Sequence, residues 1–588
     1  MTEPAAAAPD RGARTLLALA AVAVAFAAAD TYVVVLALPD MMGSVGLSVE
    51  ELQRAAPIVS GFLLGYVAML PLIGRIADLH GRLPVLVASL VVFGFGSLVT
   101  AAAYDLPSLV AGRFLQGVGG GGLVPVTLAL VADIYPAERR GVPLGVVGAV
   151  QELGSVLGPL YGAVVLVFGD WRDIFWINLA VGLVLAAAVL RISAAKPGGG
   201  ARRRPDLIGW ALLACWVSAL LLVMRQPASL VTSVSWGGPF VPFSSGASIW
   251  WSPIGLVAVG LGLAVVAWLW WGPGRFVDLR GWWATVRQAD LIGALLLSVT
   301  LGGIVLAFAT ADPQVRVFSE AGPWYLAAAA VAVGLFVLHQ RRATDPLIPR
   351  GALRARPAWG SLAVSFFVGA ALIAALVDIP VFARVSVYGD SQIKAALVLV
   401  ELLVALPVGA LIGGYLTRTL ATGPVTAAGM LLAALGFGAM STWDVEALHH
   451  LSSSVVLAGT GLGFGLALAP VNAALLATTE AAVHGVASAL LVVGRMVGML
   501  VGISALTTIG LRRYYAVSAD FPTPREVCGG RTRCDAYSDL LQSAGVEQLQ
   551  AIFLGASACA LIAGVLALLL FRGAPTHGVR AALTGAIH

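Results

Sequence analysis

Gly145-Val-Val-Gly-Ala-Val-Gln-Glu152-Leu-Gly154-Ser-Val-Leu-Gly158-Pro159-Leu-Tyr-Gly162 is the stretch on which the fold turns. With its flanks it forms an unbroken apolar run over 141–168 in which Glu152 is the one charge. A helix needs ~20 apolar residues to cross a bilayer, whereas a barrel strand needs only ~10 and alternates. The run therefore predicts a membrane-spanning helix. Its glycines let a neighbouring backbone approach closely, and Pro159 removes a donor and bends the helix. A carboxylate in such a run is expensive, and normally faces a partner or a wet cavity.

The rest of the chain repeats this pattern. Of 588 residues, 59% are hydrophobic and 11% charged, against roughly 25% charged in soluble domains. That excludes a soluble enzyme, a nucleic-acid binder and a disordered scaffold. Sixteen apolar segments reach spanning length, at 15–38, 55–74, 83–104, 107–131, 141–168, 172–192, 207–224, 252–271, 291–311, 323–340, 358–383, 392–416, 423–441, 451–477, 484–510 and 549–571. The first is too long for a signal-peptide core and is interrupted by Asp30, so it reads as an uncleaved span. An even number of spans puts both termini on one side. With the termini cytoplasmic, Lys and Arg are roughly twice as frequent in inner as in outer segments, which supports that orientation. The net charge of +5 is scattered among short loops and suggests no nucleic-acid partner.

An internal repeat divides the chain. Asp206-Leu-Ile-Gly209 opens one pair of apolar segments, and Asp290-Leu-Ile-Gly293 opens another. Three regions follow: a six-helix bundle over 1–192, a central linker with two inserted hairpins over 193–357, and a second six-helix bundle over 358–588 with an outer loop at 511–548. If 207–271 is instead re-entrant or lies on the surface, fourteen spans remain. Tryptophans 250, 251, 270, 271, 282 and 283 read as interface anchors.

Charged residues within and between the spans mark the candidate site. Gly74-Arg-Ile-Ala-Asp78-Leu-His-Gly81-Arg82 follows the second span: Gly74 and Gly81 permit a tight turn, and Asp78 can meet a helix N-terminus across the interface between halves. The fourth span carries Arg113-Phe-Leu-Gln116-Gly117-Val-Gly119. From the outer end Asp30 lies ~12 Å deep and Arg113 ~9 Å, similar enough to pair. Glu152 and Arg495 each lie about 16 Å from the inner ends of their spans, a depth compatible with an ion pair across the halves. Asp378 and Glu401 also fall in apolar runs, without an evident partner. The Gly119–Gly122 run lacks a following Gly-Lys-Ser/Thr, so it is no phosphate loop. No His/Cys cluster has metal spacing, and neither metal nor cofactor is expected. Cys528 and Cys534 share the outer loop, where a disulfide is expected; helix-favouring residues on both sides, 511–518 and 537–550, would prolong the last two spans beyond the bilayer.

These motifs resemble those of the major facilitator superfamily. The 74–82 loop is similar to its loop signature, with Leu79 and Leu83 where basic residues are usual, and the Arg113 segment is similar to its proton-coupling signature. Gly145, Gly154, Gly158, Pro159 and Gly162 resemble the antiporter signature, with Ala163 in place of a second glycine. Asp30-Thr-Tyr-Val-Val-Val35, Gln151–Gly162, Asp170-Trp-Arg-Asp-Ile-Phe-Trp-Ile-Asn178, Ala405-Leu-Pro-Val-Gly409 and Arg495-Met-Val-Gly-Met499 narrow the likeness. They resemble the mycobacterial triacylglyceride and drug exporters that work with an LprG-type lipoprotein, within the fourteen-helix drug:proton antiporter branch. The duplicated hairpin at 206–289 is the main departure.

The resemblance implies an all-α polytopic major facilitator fold in the bacterial inner membrane, acting as a monomer and not as an enzyme. It implies proton-coupled lipid export by rocking of two halves, with Asp30, Arg113 and Glu152 in coupling and Glu152 with Arg495 as an inter-half lock. Multidrug antiport of small amphiphiles is the alternative within transport. A non-transporting sensor or a passive lipid scramblase is the alternative outside it; a passive scramblase has no need of Asp30 and Arg113 at matched depth. A lipid enzyme would need a nucleophile placed with a histidine; His484 lies at a loop edge and His449 and His450 in an outer loop.

Overall fold

The computed structural model describes residues 11–47, 52–194, 206–233, 236–244, 248–309, 321–388, 392–529 and 534–574. Among them the regular structure is wholly helical. The first half contains α1 (Arg11–Ser44), α2 (Leu52–His80), α3 (Arg82–Ala102), α4 (Leu106–Ile134), α5 (Gly141–Phe168) and α6 (Trp171–Ala194). The central region contains α7 (Leu207–Arg225), the single turn α8 (Ala228–Val231), α9 (Pro253–Trp271), α10 (Leu279–Gln288), α11 (Leu291–Ala309) and α12 (Gly322–Arg342). The second half contains α13 (Arg356–Ser386), α14 (Gln392–Leu416), α15 (Thr422–Met440), α16 (Leu451–Thr478), α17 (His484–Ser518), the short α18 (Pro524–Val527) and α19 (Asp535–Leu570).

Each of the sixteen apolar segments read from the sequence falls on a helix. Fourteen are long and apolar enough to cross a membrane on those criteria alone, and α7 and α9 are among them. Besides these, α5 has 28 residues with Glu152 its one charge, and α10 and α11 together form one further candidate bent by 73°.

Two apolar cores hold the bundle. One fills the first half and extends to α11, through Ala294, Leu297, Leu301 and Val305; the other fills the second half around Phe382, Phe437, Phe464 and Phe553. Each buried side chain of this size contributes ~1.5–3 kcal/mol when moved out of water. In lipid that term is largely absent, so close backbone packing does more of the work.

The inserted hairpins share one scheme of attachment. In the first, Asp206 caps α7 by accepting from Gly209 N–H at 2.8 Å, and it also accepts from Trp268 Nε1–H at 3.1 Å and Phe276 N–H at 3.2 Å. Burial pushes its carboxyl up, but these bonds outweigh that and hold it below the ordinary carboxylate range. In the second, Asp290 accepts from Gly293 N–H at 3.0 Å and from Leu347 N–H at 3.0 Å, and contacts His339 Nε2 at 2.7 Å. The hairpins sit in different places. α7 packs Leu220 and Met224 against Leu98 and Ala102 of α3. α11 runs along α2, with Ser298 Oγ donating to Ala68 O at 2.7 Å, and also touches α17.

The two halves meet at one end, that of the 74–82 segment. There Gly141 and Gly145 of α5 lie against Gly414 and Ala410 of α14, where an added Cβ would fall 2.5 Å from a carbonyl oxygen. α1 and α13, the leading helices of the halves, form no packed pair. The bundle is thus closed at one end, with a cavity above the closure.

Candidate transport site

The first charged cluster is enclosed within the first half. Asp30 and Arg113 are each 1% exposed, and Arg113 Nη1 donates to Asp30 Oδ2 at 2.7 Å. Asn178 Nδ2 of α6 donates to Asp30 Oδ1, and Gln116 Nε2 reaches the same oxygen at 3.4 Å. Gln116 is held in turn by Ser97, Arg113 and Thr100. The guanidinium lies over the Phe62 ring of α2, 4.5 Å from its centroid. Every oxygen of the carboxylate thus has a donor, the condition under which a buried charge persists. Ser97, Gln116 and Asn178 were not singled out from the sequence as site residues. The available signal was a polar side chain inside each apolar run.

The glycine stripe of α5 sets this cluster in place. Gly154, Gly158 and Gly162 lie against Ala25, Ala29 and Val33 of α1, and a Cβ at Gly158 would fall 2.4 Å from the Ala29 carbonyl oxygen. α5 can therefore press directly on the turn of α1 that carries Asp30. Gly145 faces α14 instead. The side chain of Pro159 lies outside the described residues.

The second cluster faces the cavity between halves. Glu152 and Gln151 of α5, Ser365 of α13, Asn472 of α16 and Arg495 of α17 line it, with leucine, valine and alanine between them. Counted to its mouth, its empty volume is about 560 Å³. Glu152 is buried and Arg495 half-buried. The sequence reading expects these two as an inter-half ion pair, but the geometry differs: among the described residues no N···O contact within 4.0 Å joins them. They feel each other's charge through the cavity. The reason is that they stand on different walls of the cavity: α5 and α17 form no packed pair, since α5 packs on α14 and α17 on α2.

The third cluster is that closed end. Asp78 accepts from the backbone N–H of Gly485 at 2.8 Å and of Val486 at 2.9 Å, in the first turn of α17. That joins the halves through a carboxylate at a positive helix end. Arg82 contacts Asp78 at 3.1 Å and Asp133 at 3.2 Å, and donates to Ala481 O at 2.8 Å. Arg140 donates across the halves to Leu476 O at 3.1 Å. Gly81 has φ +98°, so it makes the turn. Gly74 has a different role from the one expected: it lies inside α2, where a Cβ would fall 2.5 Å from Gly485 O. It permits a helix crossing, not a turn.

Of the remaining intramembrane acids, Asp378 is buried in α13 without an ion pair among the described residues, and Glu401 is exposed on α14 beside Leu397 and Val404. Beyond the spans, α17 and α19 have 35 and 36 residues, about 50 Å each at 1.5 Å per residue. Arg513 and Glu547 pair between them at 2.6 Å. Cys528 and Cys534 are disulfide-bonded, with Cα atoms 5.5 Å apart. No group of three metal-ligating side chains occurs among the described residues.

Comparisons with known proteins agree with this architecture. Residues 20–339 match the model of the Major Facilitator Superfamily. The chain is 34% identical over 539 residues to a triacylglyceride transporter of Mycobacteroides abscessus, covering 89% of this chain and 88% of that one. It is 33% identical over 580 residues to one from Mycolicibacterium smegmatis, covering 95% and 88%. A triacylglyceride transporter of Mycobacterium tuberculosis is 34% identical over 523 residues, covering 86% and 85%. Among solved structures, the human organic anion transporter MFSD10 superposes with TM-score 0.53 at 14% identity, covering 95% of this chain and 100% of that one. The proton:xylose symporter XylE superposes with TM-score 0.53 at 14% identity, covering 96% of each. At that identity the likeness is one of fold. An all-helical, multi-pass bundle of two halves around a central cavity, matched by a family model and by relatives along nearly its whole length, belongs to the major facilitator superfamily of transporters and is not an enzyme.

Proposed function

We propose that the protein exports lipids, triacylglycerides foremost, from the bacterial inner membrane toward the periplasm by proton-coupled alternating access. The observation that carries this reading is the division of charge between two clusters. Asp30 and Arg113 form a buried ion pair inside one half, with both carboxylate oxygens bonded, while Glu152 and Arg495 face each other unpaired across the cavity between halves. Protonating Asp30 would free Arg113 and loosen α1 from α4 and α6. Closing Glu152 onto Arg495 would draw α5 toward α17 in the opposite state. Proton binding then favours one arrangement of the halves, which is what coupling requires.

The orientation read from Lys and Arg puts the Asp78 closure on the cytoplasmic side, which makes this an outward-facing state. Lipid cargo is supported by the names of the relatives and by the cavity's mostly apolar wall, broken by Glu152, Arg495, Gln151, Ser365 and Asn472. Such a wall suits the acyl chains of a glyceride and its polar groups the ester head, and the same mixture admits amphiphilic drugs as a second cargo. The paired ends of α17 and α19 run ~20 Å beyond a ~30 Å hydrocarbon core. Braced by Arg513–Glu547, they offer a stiff surface on which an LprG-type lipoprotein would collect lipid.

The test is reconstitution. Vesicles containing triacylglyceride and the purified monomer receive a pH gradient and an external lipoprotein acceptor, and mass spectrometry counts the lipid delivered. Delivery should rise with the gradient and collapse with a protonophore. Equal delivery with and without the gradient contradicts coupling, and no delivery at all contradicts lipid export.

A further inference from the structure

The short helix α10 between the two inserted hairpins has no place in the transport cycle described above, yet it is built with two distinct faces. Trp282, Thr285 and Val286 turn toward the protein, while Arg280, Trp283 and Arg287 are exposed. The exposed guanidinium groups make no ion pair or hydrogen bond among the described residues, although Arg287 lies over the Trp283 ring at 5.6 Å. α10 itself carries no acidic residue, and the nearby Asp278 is occupied by Arg275 at 2.5 Å. The helix bends by 73° from α11, which follows it and runs along the spanning helix α2, so α10 lies steeply across the direction of the spans. A tryptophan flanked by two free cations on such a helix matches the chemistry of an anionic headgroup layer.

The inward face is tied to the closure between halves. His80, the last residue of α2, contacts Thr285 Oγ1 through Nδ1 at 2.9 Å, and its ring lies tilted against that of Trp282, with centroids 4.3 Å apart. The Thr285 hydroxyl donates to Gly281 O at 3.0 Å, so its oxygen is left to accept from His80. Two residues before His80 stands Asp78, which holds the first turn of α17. Opening the closed end must carry the tip of α2 away from α17, and α10 must move with it or let go.

We infer that the exposed face of α10 docks anionic phospholipid headgroups of the cytoplasmic leaflet, and that its hold on His80 passes their occupancy to the Asp78 closure. The inference rests on the cytoplasmic assignment made under the proposed function, but headgroup binding is read without any transport. Anionic lipid at α10 anchors the tip of α2 and favours the closed end staying closed.

A fluorophore on Ala284→Cys, an exposed α10 position, in a Cys215→Ser, Cys559→Ser background reports the lipids around α10. Nanodiscs contain equal brominated phosphatidylglycerol or brominated phosphatidylcholine. Quenching by phosphatidylglycerol should exceed that by phosphatidylcholine, and Arg280→Gln with Arg287→Gln should abolish the excess. Two surface cations at ~1 kcal/mol each correspond to about 30-fold in affinity. Equal quenching in the parent protein, or an excess that survives both substitutions, overturns the docking face. For the link to the closure, spin labels at Arg139→Cys and Glu480→Cys report the distance between halves. Rising phosphatidylglycerol should shift the population toward the short distance, and Thr285→Val should remove that response while leaving the quenching excess. A population indifferent to phosphatidylglycerol in the parent protein, or a response that survives Thr285→Val, overturns the link.

Discussion

The two intramembrane charge clusters differ in how completely they are satisfied. Around Asp30 each carboxylate oxygen has a donor, from Arg113 or Gln116 of α4 or Asn178 of α6, two helices of the same half. Around Glu152 there is no bonded partner among the described residues, only Arg495 facing it across a cavity shared by both halves. The first cluster contributes to holding the half together; the second contributes nothing to stability until the halves move. A buried ionised group left alone costs several kcal/mol, so the second cluster is a source of instability relieved by pairing, by protonation or by water and cargo entering the cavity. The comparison teaches that a change in protonation at Asp30 acts first inside one half and reaches the other through α5, which presses on the Asp30 turn of α1, whereas one at Glu152 acts directly across the cavity between halves.

The largest expected effect breaks the first cluster. Asp30→Ala leaves the Arg113 guanidinium buried without its partner and should cost ~3–5 kcal/mol, read as a fall in unfolding midpoint in detergent. Glu152→Gln removes a charge with no partner in this state and should be neutral or stabilising in the same assay. Similar losses for the two variants would erase the distinction drawn here. Next in size is Asn178→Ala, which removes one charge-assisted bond and should cost ~1.5–3 kcal/mol, with Asn178→Asp worse because it places a second anion against Asp30.

A smaller effect is expected from the closure. Asp78→Ala removes a carboxylate cap of α17, an interaction worth ~0.5–2 kcal/mol, and should populate longer distances between Arg139 and Glu480 labels without much loss of fold. An unchanged distance distribution would mean that Asp78 does not hold the halves together. Smallest of all should be the stability change on Arg495→Lys, which keeps the charge facing Glu152 but loses the planar fork needed for a two-bond closure. Its consequence belongs in transport rate, with the midpoint moving within about 0.5 kcal/mol.

Much of this architecture was legible in the chain, and the reasons are physical. Spans are legible because a bilayer imposes a minimum apolar length on every crossing helix, and each of the sixteen segments lies on one. Asp30 and Arg113 could be matched by depth alone, since rise per residue is fixed and both spans start from a common surface. Asn178 and Gln116 could not be found in that way. A neutral amide in an apolar run has no obligatory partner, so only the fold shows that it points at Asp30. The Glu152–Arg495 separation was hidden for a different reason. Equal depth fixes height in the membrane but not lateral distance, which depends on the state of the halves. Gly74 was misread as a turn residue because close crossing of α2 on α17 joins positions 74 and 485, a contact no local pattern records. The parallel capping of Asp206 and Asp290 was foreshadowed by the repeated Asp-Leu-Ile-Gly motif, but their different seats, on α3 and between α2 and α17, were not.

Proton-driven switching through Asp30 is the claim on which the rest depends, and its most direct measurement is lipid delivery by Asp30→Asn in vesicles, with and without an imposed pH gradient. Asparagine keeps the side-chain shape but cannot cycle between charge states. The account predicts that the gradient no longer raises delivery while gradient-free exchange persists. Gradient-stimulated delivery equal to that of the parent protein would contradict it.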